Sequence, residues 1–308
     1  MSKGLKLAYG CAVLNAAIIG LSFLFTKIAL ESAGPIDTLT YRFAVSFAAM
    51  SIPVALGRVR LNYRGKPLYP VLLLASLYPL AFFAFQAFGL ERATSSEGGI
   101  LHAFVPVLTM LLASLFLKER TTALQGASIV LSGFGVALVF MMKGGGIELS
   151  SMAGIVLLFL SCLSFAGYSV LARSLLRTYS PLEITYLMLG IGFIAFLVVS
   201  VSGHAAAGTM DRFFAPLAEG SFILSILYLG VLSSLVTSLT ANYALSKLQA
   251  STVSVFSNLS TVVAIAAGAL VLGEEIQAYH LIGSLLIIAG VIGAQRLGRK
   301  PAANAKSA

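Results

Sequence analysis

Charged residues are scarce in this 308-residue chain: they make up 10% of it, whereas 58% of the residues are hydrophobic. Soluble domains carry about 25% charged residues, and a soluble fold of this size would lack the polar groups needed to cover its surface. The composition therefore excludes an ordinary water-soluble enzyme, and the high hydrophobicity excludes a disordered chain. A multi-pass membrane protein remains, built either as a helix bundle or as a barrel.

Cysteines and enzyme motifs are also few. Cys11 and Cys162 both fall inside apolar stretches, so they do not form the disulfide framework of a small secreted protein. His102, His204 and His280 lie too far apart for the H-E-x-x-H zinc motif, and neither a nucleophile elbow nor a phosphate-binding loop occurs. We therefore predict no catalytic residue, no metal site and no cofactor, and we expect any transport to use a gradient instead of ATP.

Long apolar runs decide between a bundle and a barrel. A membrane-spanning helix needs about 20 mostly apolar residues, whereas a barrel strand needs about 9–11 residues of alternating polarity. Runs such as 68–90 and 95–117 are apolar on all sides, so the predicted fold class is an all-α membrane protein. The ten predicted transmembrane helices are 7–31, 37–57, 68–90, 95–117, 122–142, 152–175, 181–203, 221–245, 250–272 and 278–296.

Basic residues predict the orientation of these helices. With a cytoplasmic N-terminus, 15 of the 20 Lys and Arg residues fall in cytoplasmic segments, 3 fall in outside loops, and Lys27 and Arg42 lie within spans. This bias predicts an inner-membrane protein with both termini in the cytoplasm. The net charge of +9 therefore reflects topology and does not indicate a nucleic-acid partner. The polar residues 299–308 are predicted to form a disordered cytoplasmic tail.

The two halves of the chain resemble each other. Residues 88–96 align with 243–251 at an offset of 155, which also carries Glu119 onto Glu274. Each of these carboxylates is expected to cap the helix that follows it. Because five is odd, a second five-helix unit must cross the membrane in the opposite sense, and inverted repeats with a midplane site are typical of secondary transporters. The predicted repeats are 1–145, with helices 1–5, and 146–298, with helices 6–10.

These features resemble a known family. The chain resembles the EamA family of the drug/metabolite transporter superfamily over about 8–296. The features that carry this resemblance are ten helices in a five-plus-five repeat, Pro106 followed thirteen residues later by Glu119, and Gly34-Pro35 after the first helix. The resemblance implies transport of a small metabolite, often an amino acid or an amphipathic drug. The chain departs from the family pattern at Thr261, where proline is expected. It also has no tryptophan, so no tryptophan-lined pocket is implied.

Polar residues form stripes on several of the predicted helices. In 95–117, His102, Pro106 and Thr109 share one face with Ser95. Such a stripe faces a water-filled cavity or other protein, the alternative being a packing seam of small residues. Hydroxyl groups can also bond back to their own helix. The stripes of five helices would converge on one cavity, and the predicted substrate-cavity residues are Asn15, Ser22, Thr26, His102, Thr109, Ser164, Tyr168, Thr237, Asn242, Ser254 and Asn258.

Charged groups near the predicted outer face suggest a gate. The predicted gating or coupling residues are Lys27, Arg42, Glu97 and Pro106, the proline acting as a hinge. In this hypothesis Lys27 or Arg42 pairs with Glu97. The alternative is that both basic side chains are peripheral and extend to the membrane interface.

These observations together predict a secondary active transporter that exports small organic metabolites, such as amino acids or amphipathic drugs, by alternating access. Its expected partners are a small-molecule substrate, the lipid bilayer and protons as a candidate coupling ion, while the oligomeric state is open. Two alternatives remain. A sugar-phosphate or nucleotide-sugar translocator would need several basic groups in the cavity, and an intramembrane enzyme would have to use Glu97 with His102.

Overall fold

A computed structural model describes residues 3–90, 102, 104–119, 122–142, 152–263, 266 and 277–297. These residues form helices, turns and short connections, and no β-strand occurs among them. The all-helical class predicted from the sequence is thus confirmed over the described residues, whereas the number of ten spans stays a prediction. Within the described ranges, five helices are long and apolar enough to cross a membrane: Lys3–Ser22, Tyr69–Gly89, Met152–Leu175, Pro181–Ala207 and Gly220–Lys247.

The described residues of the first half form six α-helices. Prolines begin α2 and α3 within their first two residues, where proline's missing N–H costs nothing and its φ angle suits a helix. The helices are α1 (Lys3–Ser32), α2 (Pro35–Ala55), α3 (Tyr69–Ala75), α4 (Phe82–Leu90), α5 (Val105–Leu117) and α6 (Ala123–Met142), with a π-helical segment, Ser76–Ala81, between α3 and α4.

In the second half, the described residues form seven α-helices. Pro181 begins α8, and the side chains of Ser180 and Glu183 form a capping box there, which satisfies two backbone N–H groups. The helices are α7 (Met152–Leu175), α8 (Pro181–Ala207), α9 (Met210–Phe214), α10 (Gly220–Leu227), α11 (Thr237–Lys247), α12 (Ala250–Val255) and α13 (Ala278–Leu297), with 3₁₀ turns at Ala215–Ala218 and Phe256–Asn258 and a second π-helical segment at Tyr228–Val236.

Helices that match between the two halves pack against each other in opposite directions. The start of α2 meets the end of α8, where Asp37 contacts His204. The two helices pack along their length, so they run antiparallel. A Cβ atom on Gly135 of α6 would lie 2.8 Å from the carbonyl oxygen of Gly283 near the start of α13. The end of α5 likewise meets the start of α12.

Both π-helical segments interrupt long helices at matching places. Adding the repeat offset of 155 to Ser76–Ala81 gives 231–236, which falls inside the second segment, Tyr228–Val236. In the first segment Tyr78 leaves the helical region altogether, with φ −146° and ψ 118°. π-Helical turns are rare and often lie at functional sites, because they redirect side chains and free backbone groups. These two segments face the cavity described next.

Candidate substrate cavity

One cavity lies between the two halves of the chain. Among the described residues, it is lined on one side by α1, α2, the helix 69–90 and His102. On the other side it is lined by α7, the helix 220–247 and the residues around 253–257. Its volume is about 100 Å³, whereas one water molecule needs roughly 10–15 Å³. The cavity therefore has room for several waters or a small organic molecule.

Seven of the eleven predicted cavity residues line this space. Ser22, Thr237 and Ser254 each donate a hydrogen bond to a carbonyl of their own helix, at 2.8, 2.6 and 3.1 Å. Their hydroxyl oxygens can still accept a bond, so bonding back to the helix and lining the cavity occur together. The seven residues are Asn15, Ser22, Thr26, His102, Tyr168, Thr237 and Ser254.

The other four predicted residues lie behind the cavity wall. Asn242 accepts a hydrogen bond from the Tyr168 hydroxyl at 2.9 Å and donates to another helix. Asn258 donates to Ser132 of α6 at 3.1 Å, and Ser164 donates to a carbonyl of its own helix. Thr109 is buried, and its hydroxyl has no hydrogen-bond partner in the described structure. Asn242 and Asn258 therefore join helices, and none of the four residues is among those that line the cavity.

Arg42 lies in the cavity wall and is not peripheral, which corrects the snorkelling alternative for this residue. Its side chain is 6% exposed. Its Nε donates to the Ser234 hydroxyl at 2.6 Å, and its Nη2 donates to the carbonyl and the hydroxyl of Ser233 at 3.1 Å. The difference arises because α2 packs against the π-helical segment of the other half, so the side chain points between helices and away from lipid.

Aromatic rings form the wall next to Arg42, and the sequence analysis did not identify them apart from Tyr168. The guanidinium carbon of Arg42 lies 4.4 Å from the centre of the Phe83 ring. Tyr78 lies 5.3 Å from Phe83 and stacks on Tyr168 at 4.7 Å, centre to centre. Rings facing a cavity and rings facing lipid look alike in an apolar run. The one sequence feature that could have pointed to these rings was Pro79, since a proline inside a helix interrupts the hydrogen bonds of that helix.

Matches to known proteins follow the same division into halves. A family model described as the EamA-like transporter family matches residues 6–141 and, separately, residues 152–295. The chain belongs to the EamA-like transporter family. It is therefore a multi-pass membrane protein of a transporter family, which implies a small-molecule substrate and a surrounding lipid bilayer. The family resemblance drawn from Pro106, Glu119 and the repeat is confirmed.

Individual relatives agree with this family. The EamA-like transporter is 47% identical over 286 residues to "Uncharacterized transporter YcxC" of Bacillus subtilis strain 168, covering 93% of this chain and 92% of the relative. It is 27% identical to the "Probable terminal-alkyne amino-acid exporter" of Streptantibioticus cattleyicolor, covering 96% of each chain. One crystal structure matches with a TM-score of 0.78 and 19% identity, covering 96% of this chain and 98% of that one. That last match supports the fold alone.

The predicted gating residues of this EamA-like transporter are only partly visible. Glu97 and the side chain of Lys27 lie outside the described residues, so the proposed pairing between them stays a prediction. Pro106 lies in the first turn of α5, just after Phe104 in a turn conformation. The proline therefore lies at the start of α5, where it removes no helical hydrogen bond, and its predicted role as a hinge stays a prediction.

Glu119 caps a different helix from the one expected. Its Oε1 accepts the backbone N–H of Ala250 at 3.1 Å, and its Oε2 accepts the Ser251 hydroxyl at 3.2 Å. The carboxylate therefore caps α12, which is the counterpart of α5 in the other half, and not α6. The reason is the antiparallel packing that brings the end of α5 to the start of α12. Glu274 lies outside the described residues.

The loop between α2 and α3 is held against the start of α8 by buried Glu183. Lys66 Nζ lies 2.6 Å from Glu183 Oε2, and the backbone N–H of Asn62 donates to Oε1 at 3.0 Å. The Tyr63 hydroxyl donates to the Glu183 carbonyl at 3.0 Å. Burial, with the nearby Glu183 carboxylate, raises the pKa of Tyr63 well above its usual range, so Tyr63 is a hydrogen-bond donor at any physiological pH. These bonds join the two halves at one end of the molecule.

Proposed function

We propose that this EamA-like protein is a secondary active transporter that exports small organic metabolites, such as amino acids or amphipathic drugs, across the cytoplasmic membrane. It does so by alternating access: two inverted five-helix repeats, 1–145 and 146–298, expose a central site to one side and then to the other. Ten helices cross the bilayer and both termini are cytoplasmic. Protons are the candidate coupling ion.

The observation that carries this proposal is the cavity between the halves. Each half supplies part of its wall, and each supplies one π-helical segment to it. Matched helices run antiparallel, as an inverted duplication requires. A site shared by two such units can change the side to which it opens when the units rock against each other, without any change in its own residues. The relative named as an amino-acid exporter supports the class of substrate.

The two alternative functions have less support. A translocator for phosphorylated sugars would need several cations in the site, and Arg42 is the single Lys or Arg side chain among the described lining residues. An intramembrane enzyme would need an acid and a base in contact. His102 lines the cavity beside Phe82 and Phe165, and no described carboxylate lines the cavity with it.

Transport by purified protein in liposomes tests the proposal. Vesicles loaded with an unlabelled mixture of amino acids should take up the matching labelled amino acid, and mass spectrometry should recover it chemically unchanged. Empty liposomes and liposomes with an unrelated membrane protein are the controls. Uptake no faster than in these controls, across amino acids and amphipathic dyes, would contradict the proposal. A chemically altered solute would favour an enzyme.

A further inference from the structure

Among the described residues, a buried cation in the cavity wall has no anionic partner. Arg42 is 6% exposed, and no ion pair joins it to a carboxylate in the described part of the chain. A charge in a membrane-spanning helix that is left unpaired is costly, so such residues mark binding sites or ion pathways. The described residues around the cavity include no Asp or Glu. The described lining of the cavity therefore carries net positive charge, which suits an anion.

The hydrogen bonds of Arg42 position its guanidinium and leave one edge free. A guanidinium has five N–H donors, one on Nε and two on each terminal nitrogen. Nε and Nη2 are used on Ser234 and Ser233 of the opposite half. Nη1 makes no hydrogen bond to any described residue. Because the other three donors are already held, the two on Nη1 are oriented in advance, which lowers the entropy cost of binding a ligand.

Aromatic rings beside the guanidinium offer a place for an apolar group. One face of the Arg42 guanidinium lies over Phe83, 4.4 Å from the ring centre. Phe83 in turn contacts Phe82 with 4.8 Å between ring centres, and Phe82 contacts Phe165 of the other half with 5.3 Å between ring centres. A ligand whose anionic group meets Nη1 would therefore have its body against these rings. The arrangement suits an amphipathic molecule with a charge at one end.

We infer that Arg42 binds the carboxylate of the transported molecule, with the apolar or aromatic body of that molecule packed against the exposed sides of Phe82 and Phe165. That this molecule is transported rests on the proposed function, whereas its binding to Arg42 does not depend on that function. A carboxylate fits better than a phosphate dianion, because a single cation balances a single negative charge. Arg42 is thus a specificity-determining residue for small amphipathic monocarboxylates, including amino acids.

Matched pairs of ligands test the charge requirement on the unmodified protein. We would measure the melting temperature of purified protein in lipid nanodiscs with L-phenylalanine against L-phenylalaninamide, L-leucine against L-leucinamide, and 3-phenylpropionate against 3-phenylpropionamide. Binding to the folded state raises the melting temperature. At least one acid should raise it, with an apparent affinity about 10-fold or more above that of its amide. Equal binding of acids and amides, or stabilisation by none of the acids, would overturn the inference, as would tighter binding of phenyl phosphate.

Variants of Arg42 test the residue. Arg42→Gln should reduce the affinity for the binding acid about 10-fold or more and leave any weak binding of the amide unchanged. Arg42→Lys, which keeps the charge but loses the planar fork, should retain part of the affinity. Arg212→Gln, which removes an exposed arginine outside the cavity, is the matched control. Unchanged acid binding in a folded Arg42→Gln protein would overturn the inference. If that variant does not fold, Arg42→Lys and the ligand pairs decide.

The two proposals can fail separately. Carboxylates that bind through Arg42 but do not cross liposome membranes would leave the binding inference standing and contradict the transport proposal. Transport of amides or cationic dyes by a protein that binds no carboxylate would leave the transport proposal standing and contradict the binding inference.

Discussion

Gly290 of α13 lies so close to Ser132 of α6 that a Cβ atom on the glycine would be 2.6 Å from the Cβ of the serine. The same atom would be 2.6 Å from the carbonyl oxygen of Ser128, a backbone atom that cannot move aside on its own. In a lipid bilayer the hydrophobic effect provides little driving force for helices to associate, so the close packing of small residues holds them together. Here it joins the last described helix of each half.

Gly290→Ala should therefore destabilise the protein. The added methyl group forces α6 and α13 apart, and overpacking of this kind costs about 1–3 kcal/mol. Gly203→Ala is the matched control, since it lies within α8 and a Cβ there meets nothing within 4 Å. The chain has no tryptophan, so unfolding is best followed with a thiol-reactive dye that reports exposure of buried Cys162. A melting temperature of Gly290→Ala equal to that of the control would contradict the packing described.

Loss of the Glu119 carboxylate should destabilise the start of α12. Glu119→Ala removes two acceptors, and the loss of a helix cap costs about 0.5–2 kcal/mol. Glu119→Gln keeps one oxygen acceptor and should lie between the alanine variant and the parent. Glu31→Ala, which removes an exposed carboxylate, is the control. The melting temperature measured with the same dye checks the order of the three variants, and an equal effect of Glu31→Ala would show that only net charge matters.

His102 and Asn258 should respond differently to alanine substitution. His102 lines the cavity, so His102→Ala should slow transport and leave the melting temperature near that of the parent. Asn258 lies behind the wall and donates to Ser132. Asn258→Ala should therefore lower stability by about 1–3 kcal/mol, the cost of removing one partner of a buried hydrogen bond. Liposome flux and dye-monitored melting, measured on both variants, separate the two roles. The opposite pattern would exchange their assignments.

The proposed topology predicts which side each loop faces. Arg64 lies in the loop before α3 and Arg212 lies in α9, and both are exposed. In a background without Cys11 and Cys162, a cysteine replacing Arg212 should react with a membrane-impermeant maleimide in intact cells. A cysteine replacing Arg64 should react only after the membrane is opened. Reaction of both in intact cells would contradict the ten-helix arrangement with cytoplasmic termini.

Much of the candidate cavity could be predicted from helical spacing. Asn15, Ser22, Thr26 and His102 all face it, because polar side chains in an apolar helix have few other places to go. Helical periodicity shows which residues share one face of a helix, but it does not show what that face packs against. It therefore could not separate Asn242 and Asn258, which bond to other helices, from residues that meet the open space.

The sequence by itself determined the membrane class, the helical fold and the repeated halves, because these depend on composition, on the length of apolar runs and on similarity within one chain. Only the tertiary structure decided where Arg42 and Glu119 act. Each is positioned by a helix of the other half: Arg42 by the segment that contains Ser233, and Glu119 by the start of α12. Such contacts join residues more than 130 positions apart, and no local pattern records which distant helix end a side chain will meet.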